Sequence, residues 1–185
     1  NVFTAYGALF TGSFGSPGQI IEGLRVYFST GESRELLRGI YPFTESLVAT
    51  TPYIFAALSV ALGFRCGLFN IGAEGQVLMG ALCSAYVGYS ITGLPAFIHL
   101  PLAILGGALG GAVWGMIPGY LKARFGAHEV VNTIMMNWIA FKLSDWLLNG
   151  PMKASGFRPV TPSIEESAEL PRFFADPLRL NWGFV

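Results

Sequence analysis

Two long uncharged runs joined by a polar, glycine-broken decapeptide limit what this chain can fold into. Residues 46–64 carry no charged side chain, and neither do residues 77–92. Between them lies Gly67-Leu68-Phe69-Asn70-Ile71-Gly72-Ala73-Glu74-Gly75-Gln76. At ~1.5 Å rise per residue, about 20 uncharged residues cover a hydrocarbon core about 30 Å thick, so the first run reads as a membrane-spanning helix. The second is too short unless it borrows from the decapeptide, which puts Asn70, Glu74 and Gln76 at or inside the membrane boundary. Irregular backbone at that depth is stable only where protein buries it or where it lines a wet cavity. A glycine-interrupted helix bearing polar groups therefore points to a pathway.

The expected fold class is all-α: a polytopic transmembrane helical bundle of four to five spans, with a discontinuous helix at residues 67–76. Charged residues make up 12% of the chain, about half the ~25% of a soluble domain, and mean hydropathy is +0.53. Formal net charge is zero with no basic block, which excludes an electrostatic nucleic-acid footprint. Residues 1–21 are uncharged but broken by Gly7, Gly12, Gly15, Pro17 and Gly18, and read as a partial span or re-entrant stretch. Residues 22–45 mix Arg25, Glu32, Arg34, Glu35, Arg38 and Glu45 around a Ser29-Thr30-Gly31 turn. They read as an outer loop with room for a short amphipathic helix at 35–40.

Spans are expected at 46–64, 74–92, 95–121 and 130–148, followed by a proline-rich outer loop at 150–181, all within one transmembrane domain. Pro52 kinks the first, as a packing feature or a hinge, with Thr50 and Thr51 placed to satisfy freed carbonyls. Gly107, Gly111, Gly115 and Gly119 recur every fourth residue and stack on one helix face. That face is expected to be buried in the bundle; a dimerisation seam is the alternative. Lys122, Arg124 and His128 form the most one-sided cationic connection, which the positive-inside rule assigns to the cytoplasm. The decapeptide and Arg65 then lie on the inner side, with residues 22–45 and 150–181 outside. The start at Asn1 without a basic leader, and a new apolar stretch at 181–185, read as a fragment truncated at both ends.

Asn70, Glu74 and Gln76 are the leading functional group, for substrate contact or for a structural or gating role in which Glu74 pairs with Arg65. Asn132, Thr133 and Asn137 occupy the first turns of the last span and serve either the pathway or helix–helix adhesion. Phe69, Trp138 and Phe141 are the aromatics available to stack on a ring. Lys142 and Asp145, three apart, can pair or snorkel. Cys66 and Cys83 lack metal or redox spacing and read as packing residues. His99 and His128 have no partners at ligand spacing, and no phosphate-cradling loop is present. The chain therefore reads as neither an enzyme nor a metal or cofactor protein.

Residues 63–76 (GFRCGLFNIGAEGQ) and 121–140 (LKARFGAHEVVNTIMMNWIA) closely resemble, in this order, the permease subunits of bacterial ABC importers of the branched-chain amino acid and simple-sugar superfamily. Within it they look most like the nucleoside and simple-sugar branch. The resemblance covers most of residues 46–150. It implies a multi-pass subunit of the bacterial plasma (inner) membrane that forms a translocation pathway by alternating access. The implied partners are cytoplasmic ABC ATPase subunits, a second permease subunit and an extracytoplasmic substrate-binding protein. It implies no chemistry on the substrate, and the family's ATPase-coupling segment is expected outside this stretch. Two other readings stay open. A branched-chain amino acid permease would have to match a zwitterion with Glu74 and Arg65, and an ATP-independent carrier or channel would work without the ATPase.

Overall fold

The computed structural model describes residues 1–174 and 178–184. Residues 175–177 of the expected outer segment, and the last residue of the apolar stretch at 181–185, lie outside the described residues. The helices in chain order are α1 (Val2–Phe14), α2 (Pro17–Thr30), α3 (Arg34–Arg65), α4 (Ala73–Ser90), α5 (Ala96–Phe125) and α6 (Glu129–Asn149), with 3₁₀ turns at Glu166–Ala168 and Trp182–Phe184. Among the described residues there is no strand, and one isolated antiparallel bridge joins Arg172 and Asn181. The all-α architecture expected from the sequence is observed, and the helix break falls at residues 66–72, between α3 and α4. The chain forms two compact units, Asn1–Ile54 with Leu170–Val185, and Phe55–Glu169.

In the first unit glycine and proline set the helix ends. α1 stops where Gly15 takes φ +86°, and Pro17 opens α2 at a first-turn position where a missing N–H breaks no helical bond. Gly31, at φ +75°, closes α2 with its N–H on the Tyr27 carbonyl at 2.9 Å. Residues 22–45 differ here from the loop expected of them, because residues 31–33 alone connect α2 to α3. The mixed charges decorate helices: Arg38 and Glu35 pair at 3.0 Å across one turn of α3. Gly23 permits the close crossing, since a Cβ there would sit 2.7 Å from Leu36 Cα. Ser46 donates to the Ser13 carbonyl at 2.9 Å, and Arg179 forks onto the Glu45 carboxylate through Nε at 3.0 Å and through Nη2. Thr50 and Thr51 do bond back into the helix, at 2.6 and 3.1 Å. Their acceptors are the Ser46 and Leu47 carbonyls rather than the Val48 carbonyl that Pro52 leaves free.

The second unit is built on glycine contacts between α4 and α5. A Cβ on Gly80 would lie 2.9 Å from the Gly107 carbonyl oxygen, and one on Gly110 would lie 2.5 Å from Cys83 Sγ. The four-residue stripe of α5 is thus filled from within the chain: Gly107, Gly111 and Gly115 face α4, while Gly119 has open space around it. The other side of α5 is bare, with Leu105, Leu109 and Met116 58, 65 and 64% exposed. By length and composition α3 and α5 suffice to cross a membrane, and their apolar stretches are almost wholly uncovered by the rest of the protein. A helix that is apolar on its outer face and packed through small residues on its inner one is suited to lipid rather than water. α6 joins α4 through Ala140, which is fully buried and would lie 3.2 Å from a Cβ on Gly75.

Candidate functional site

The break between α3 and α4 is held by side chains because it has no ladder of its own. Gly67, at φ +72°, turns the chain out of α3, and the Leu68 N–H reaches back to the Gly63 carbonyl at 2.9 Å. Asn70 Oδ1 accepts from the Gly72 N–H at 2.9 Å, and its Nδ2 donates to Gln76 Oε1 at 3.3 Å. One asparagine thereby shapes the turn and ties it to the first helical turn beyond.

The first N–H groups of a helix lack intrahelical acceptors, and the N-cap of α4 is Gly72, which brings no side chain to serve them. α6 supplies the cap. Asn137 Oδ1 accepts from the Gly75 N–H at 2.9 Å, and Asn137 Nδ2 donates to the Ile71 carbonyl at 3.0 Å. An obligate donor on one side and an obligate acceptor on the other fix the orientation of this amide. The clamp needs close approach. A Cβ on Gly75 would stand 2.7 Å from Asn137 Oδ1, and one on Gly72 would stand 3.1 Å from Thr133 Cβ.

A cavity of about 140 Å³ opens beside this knot, lined by Leu68, Phe69, Asn70, Gln76, Thr133, Lys122 and Glu129, with Gly63, Gly115, Pro118 and Gly119. Gln76 lies along Gly115, where a Cβ would be 2.9 Å from its Nε2. Thr133 is buried, its hydroxyl turned back onto the Glu129 carbonyl at 2.8 Å. A wider groove of about 590 Å³ runs along α4 and α5 past Phe55 and Ser59 of α3, and shares Gln76 and Gly115 with the cavity. The amide of Gln76 therefore stands where the two spaces meet.

Of the residues singled out in the sequence, Asn70, Gln76 and Thr133 line the cavity together with Gly115 and Gly119. Asn137 acts as the clamp behind it. Glu74 is exposed, lines neither space, and pairs with neither Arg65 nor any other described residue. Asn132 is outside the cavity too, and its Nδ2 is buried without a partner. Phe69 reaches the wall and meets Phe64 edge-on at 4.9 Å, whereas Trp138 and Phe141 pack on each other at 6.0 Å, away from it. Among the described residues no group of His, Cys, Asp or Glu could hold a metal ion.

Two residues were not foreseen. Glu129, the first residue of α6, accepts the Phe69 N–H on Oε1 at 3.2 Å and sits 3.3 Å from Lys122 Nζ through Oε2. The Phe69 amide first, then Lys122, holds its carboxyl below the usual carboxylate range. His99 is fully buried at the other end of the unit, with Nδ1 2.7 Å from Ser167 Oγ and Nε2 3.2 Å from the Val87 carbonyl. A carbonyl cannot donate, so Nε2 carries the proton in the neutral ring and Nδ1 accepts from the serine. Neither contact has a sequence signature, because the partners lie 60, 68 and 12 residues away.

A helical membrane protein with a broken helix beside a cavity that gathers polar side chains falls in the class of membrane transport components. Residues 43–177 match the family described as "Branched-chain amino acid transport system / permease component", and the chain belongs to that family. It is 44% identical over 150 residues to the guanosine ABC transporter permease protein NupP of Bacillus subtilis, covering 79% of this chain and 42% of that protein. It is 39% identical over 138 residues to the glucose ABC transporter permease protein TsgB13 of Haloferax volcanii, covering 74% and 36%. The nucleoside ABC transporter permease protein NupB of Lactococcus lactis is 39% identical over 105 residues, covering 57% and 29%. The chain thus spans less than half the length of these relatives. No solved structure matches it. Membership of the family makes the chain an integral membrane transport component and bears out the resemblance carried by the two sequence blocks.

Proposed function

We propose that this chain forms part of the translocation pathway of an ABC importer that carries a nucleoside or simple sugar across a bacterial plasma membrane by alternating access. The observation that carries the reading is the cavity at the helix break. Its wall offers the amides of Asn70 and Gln76 and the ring of Phe69, with Thr133 buried beside them. Its two charged residues, Lys122 and Glu129, neutralise each other. Such a wall matches a neutral ligand rich in hydroxyls or ring heteroatoms. A zwitterionic amino acid would need two separate unpaired charges, and the Lys122–Glu129 pair leaves neither free. Relatives named for guanosine, glucose and nucleosides support the same reading.

In this reading α3 to α6 span the membrane, and Lys122, Arg124 and Arg65 keep the cavity end cytoplasmic. The residues that serve the pathway are Asn70, Gln76 and Thr133, with Asn137 holding the break in shape. Two cytoplasmic ATPases bias the access states, a second permease subunit completes the pathway, and a binding protein delivers ligand outside. The reading is tested by uptake into proteoliposomes of the full-length permease with its ATPase and binding protein, using labelled guanosine, glucose and leucine, with and without internal ATP. ATP-dependent uptake of guanosine or glucose is expected. Uptake of leucine in preference to both would overturn the ligand class, and uptake indifferent to ATP would overturn the ABC mechanism.

A further inference from the structure

The segment of residues 66–72 is tied to α6 at two points that differ in kind. Asn137 holds its far end through two neutral bonds, to the Ile71 carbonyl and the Gly75 N–H. Glu129 holds its middle through one charged group, at the Phe69 N–H. The two anchors are eight residues apart on α6, about 12 Å along the helix axis. Glu129 also faces Lys122 at the end of α5, so its carboxylate is where the break, α5 and α6 meet. Phe69 and Asn70, the residues it steadies, both line the cavity. Gly67, at positive φ, precedes them and makes a permissive backbone joint on the α3 side.

We infer that Glu129 is a positioning residue of the pathway. Its carboxylate pins the Phe69 N–H and so keeps Phe69 and Asn70 on the cavity wall, with Lys122 as its counter-charge. This rests on the reading of the cavity as part of the pathway. Three variants separate the two contacts. Glu129→Gln keeps an acceptor for the Phe69 N–H and loses the charge. Glu129→Ala loses both contacts. The exchange Glu129→Lys with Lys122→Glu keeps an ion pair but places no acceptor at position 129.

The first measurement is hydrogen–deuterium exchange over residues 66–72 in the full-length complex in nanodiscs, which needs no substrate. Exchange at the Phe69 amide is expected to quicken about tenfold or more in Glu129→Ala and in the swap, the scale of losing a hydrogen bond to a charged group, and to stay near wild type in Glu129→Gln. The second is guanosine and glucose uptake: the half-saturating concentration is expected to rise in Glu129→Ala and in the swap while the maximal rate per folded complex holds. Unchanged exchange in Glu129→Ala overturns the pin. So does a swap that restores both readouts while Glu129→Gln does not, because the ion pair would then be the working contact. A raised exchange rate with unchanged half-saturation overturns the positioning role. If the wild-type complex carries neither guanosine nor glucose, the ligand reading fails, and exchange still decides whether Glu129 holds the break.

Discussion

Both ends of α4 are anchored by side chains from other helices, and the two anchors are built in opposite ways. At its start the helix is capped by Asn137 from α6, next to half-buried amides, an ion pair and a cavity. At its end it is tied to a buried histidine. His99 is 0% exposed between the Val87 carbonyl and Ser167, the Glu165 N–H bonds the Gly88 carbonyl at 2.9 Å, and a Cβ on Gly88 would meet Ile164 Cγ2 at 3.0 Å. The first anchor stands beside a cavity walled by the side chains of Asn70, Gln76, Lys122 and Glu129, whereas the second adjoins a space of about 260 Å³ whose lining, Ser84 apart, is alanine, glycine and isoleucine. Under the proposed function the first, open end has side chains to meet a ligand, while the second, closed end holds the helix.

The comparison presumes that α4 and α5 stay together, and the largest effect is expected from breaking that contact. Gly80→Leu would force side-chain atoms against the Gly107 carbonyl, 2.9 Å from the first of them, and backbone cannot move aside as a flexible side chain can. A cost of about 3 kcal/mol or outright loss of the folded permease is expected, read as yield and melting temperature in detergent. Gly119→Ala, with no atom within 4 Å of the new methyl, is expected to fold as wild type or slightly better, since alanine favours the helix. If both variants melt alike, the stripe is not what joins the two helices.

His99→Ala comes next and probes the closed end alone. It strips partners from the Val87 carbonyl and the Ser167 hydroxyl, both part-buried, at about 1–3 kcal/mol for each group left unsatisfied. Lower thermal stability and faster proteolysis within residues 150–169 are expected, with the half-saturating ligand concentration unchanged. A shift in that concentration with stability intact would erase the distinction between the two ends. Asn137→Ala is the matching change at the open end. It frees the buried Gly75 N–H and the carbonyl of the exposed Ile71, so a stability loss of about 1–2 kcal/mol is expected together with weaker ligand binding. Asn137→Asp keeps the acceptor for Gly75 and loses the donor for Ile71, and should fall between.

Much of the open end was legible in the sequence, because glycine and polar residues in an apolar run are local signals. The break expected at 67–76 falls at 66–72, and of the glycine period of α5, Gly107, Gly111 and Gly115 lie against α4 while Gly119 does not. What lay hidden is non-local. Asn137 reads as one more polar residue on α6 until its two partners arrive from 62 and 66 positions away. Glu129 follows Lys122, Arg124 and His128 and reads as one charge of a loop. His99 looked partnerless because Val87 and Ser167 approach it only in the fold. Residues 22–45 misled for another reason: alternating charge describes a solvated surface, and a helix has one as readily as a loop does. Glu74 drew attention by composition, yet it is exposed and lines neither space.

Acid provides a smaller test of the open end. The Glu129 carboxyl ionises below the usual 4.5, so its hold on Phe69 contributes fully above that value and is lost only as pH falls through the lower value of the folded protein. Protection of the Phe69 amide should therefore survive a descent from pH 7 through the ordinary carboxylate range and fail below it. Loss of protection already at pH 6 would mean that another group holds the segment.

The smallest effect is expected at Glu74. It sits in the first turn of α4, where a negative charge gains from the helix dipole, by about 0.3–1 kcal/mol at an exposed site. It is exposed and touches neither the cavity nor the groove. Glu74→Gln should thus melt within about 1 kcal/mol of wild type and carry ligand with the same half-saturation. Loss of uptake with folding intact would place a working carboxylate outside the cavity. The pathway would then follow the exposed side of the α4 start, and the amide wall of Asn70 and Gln76 would be scaffold.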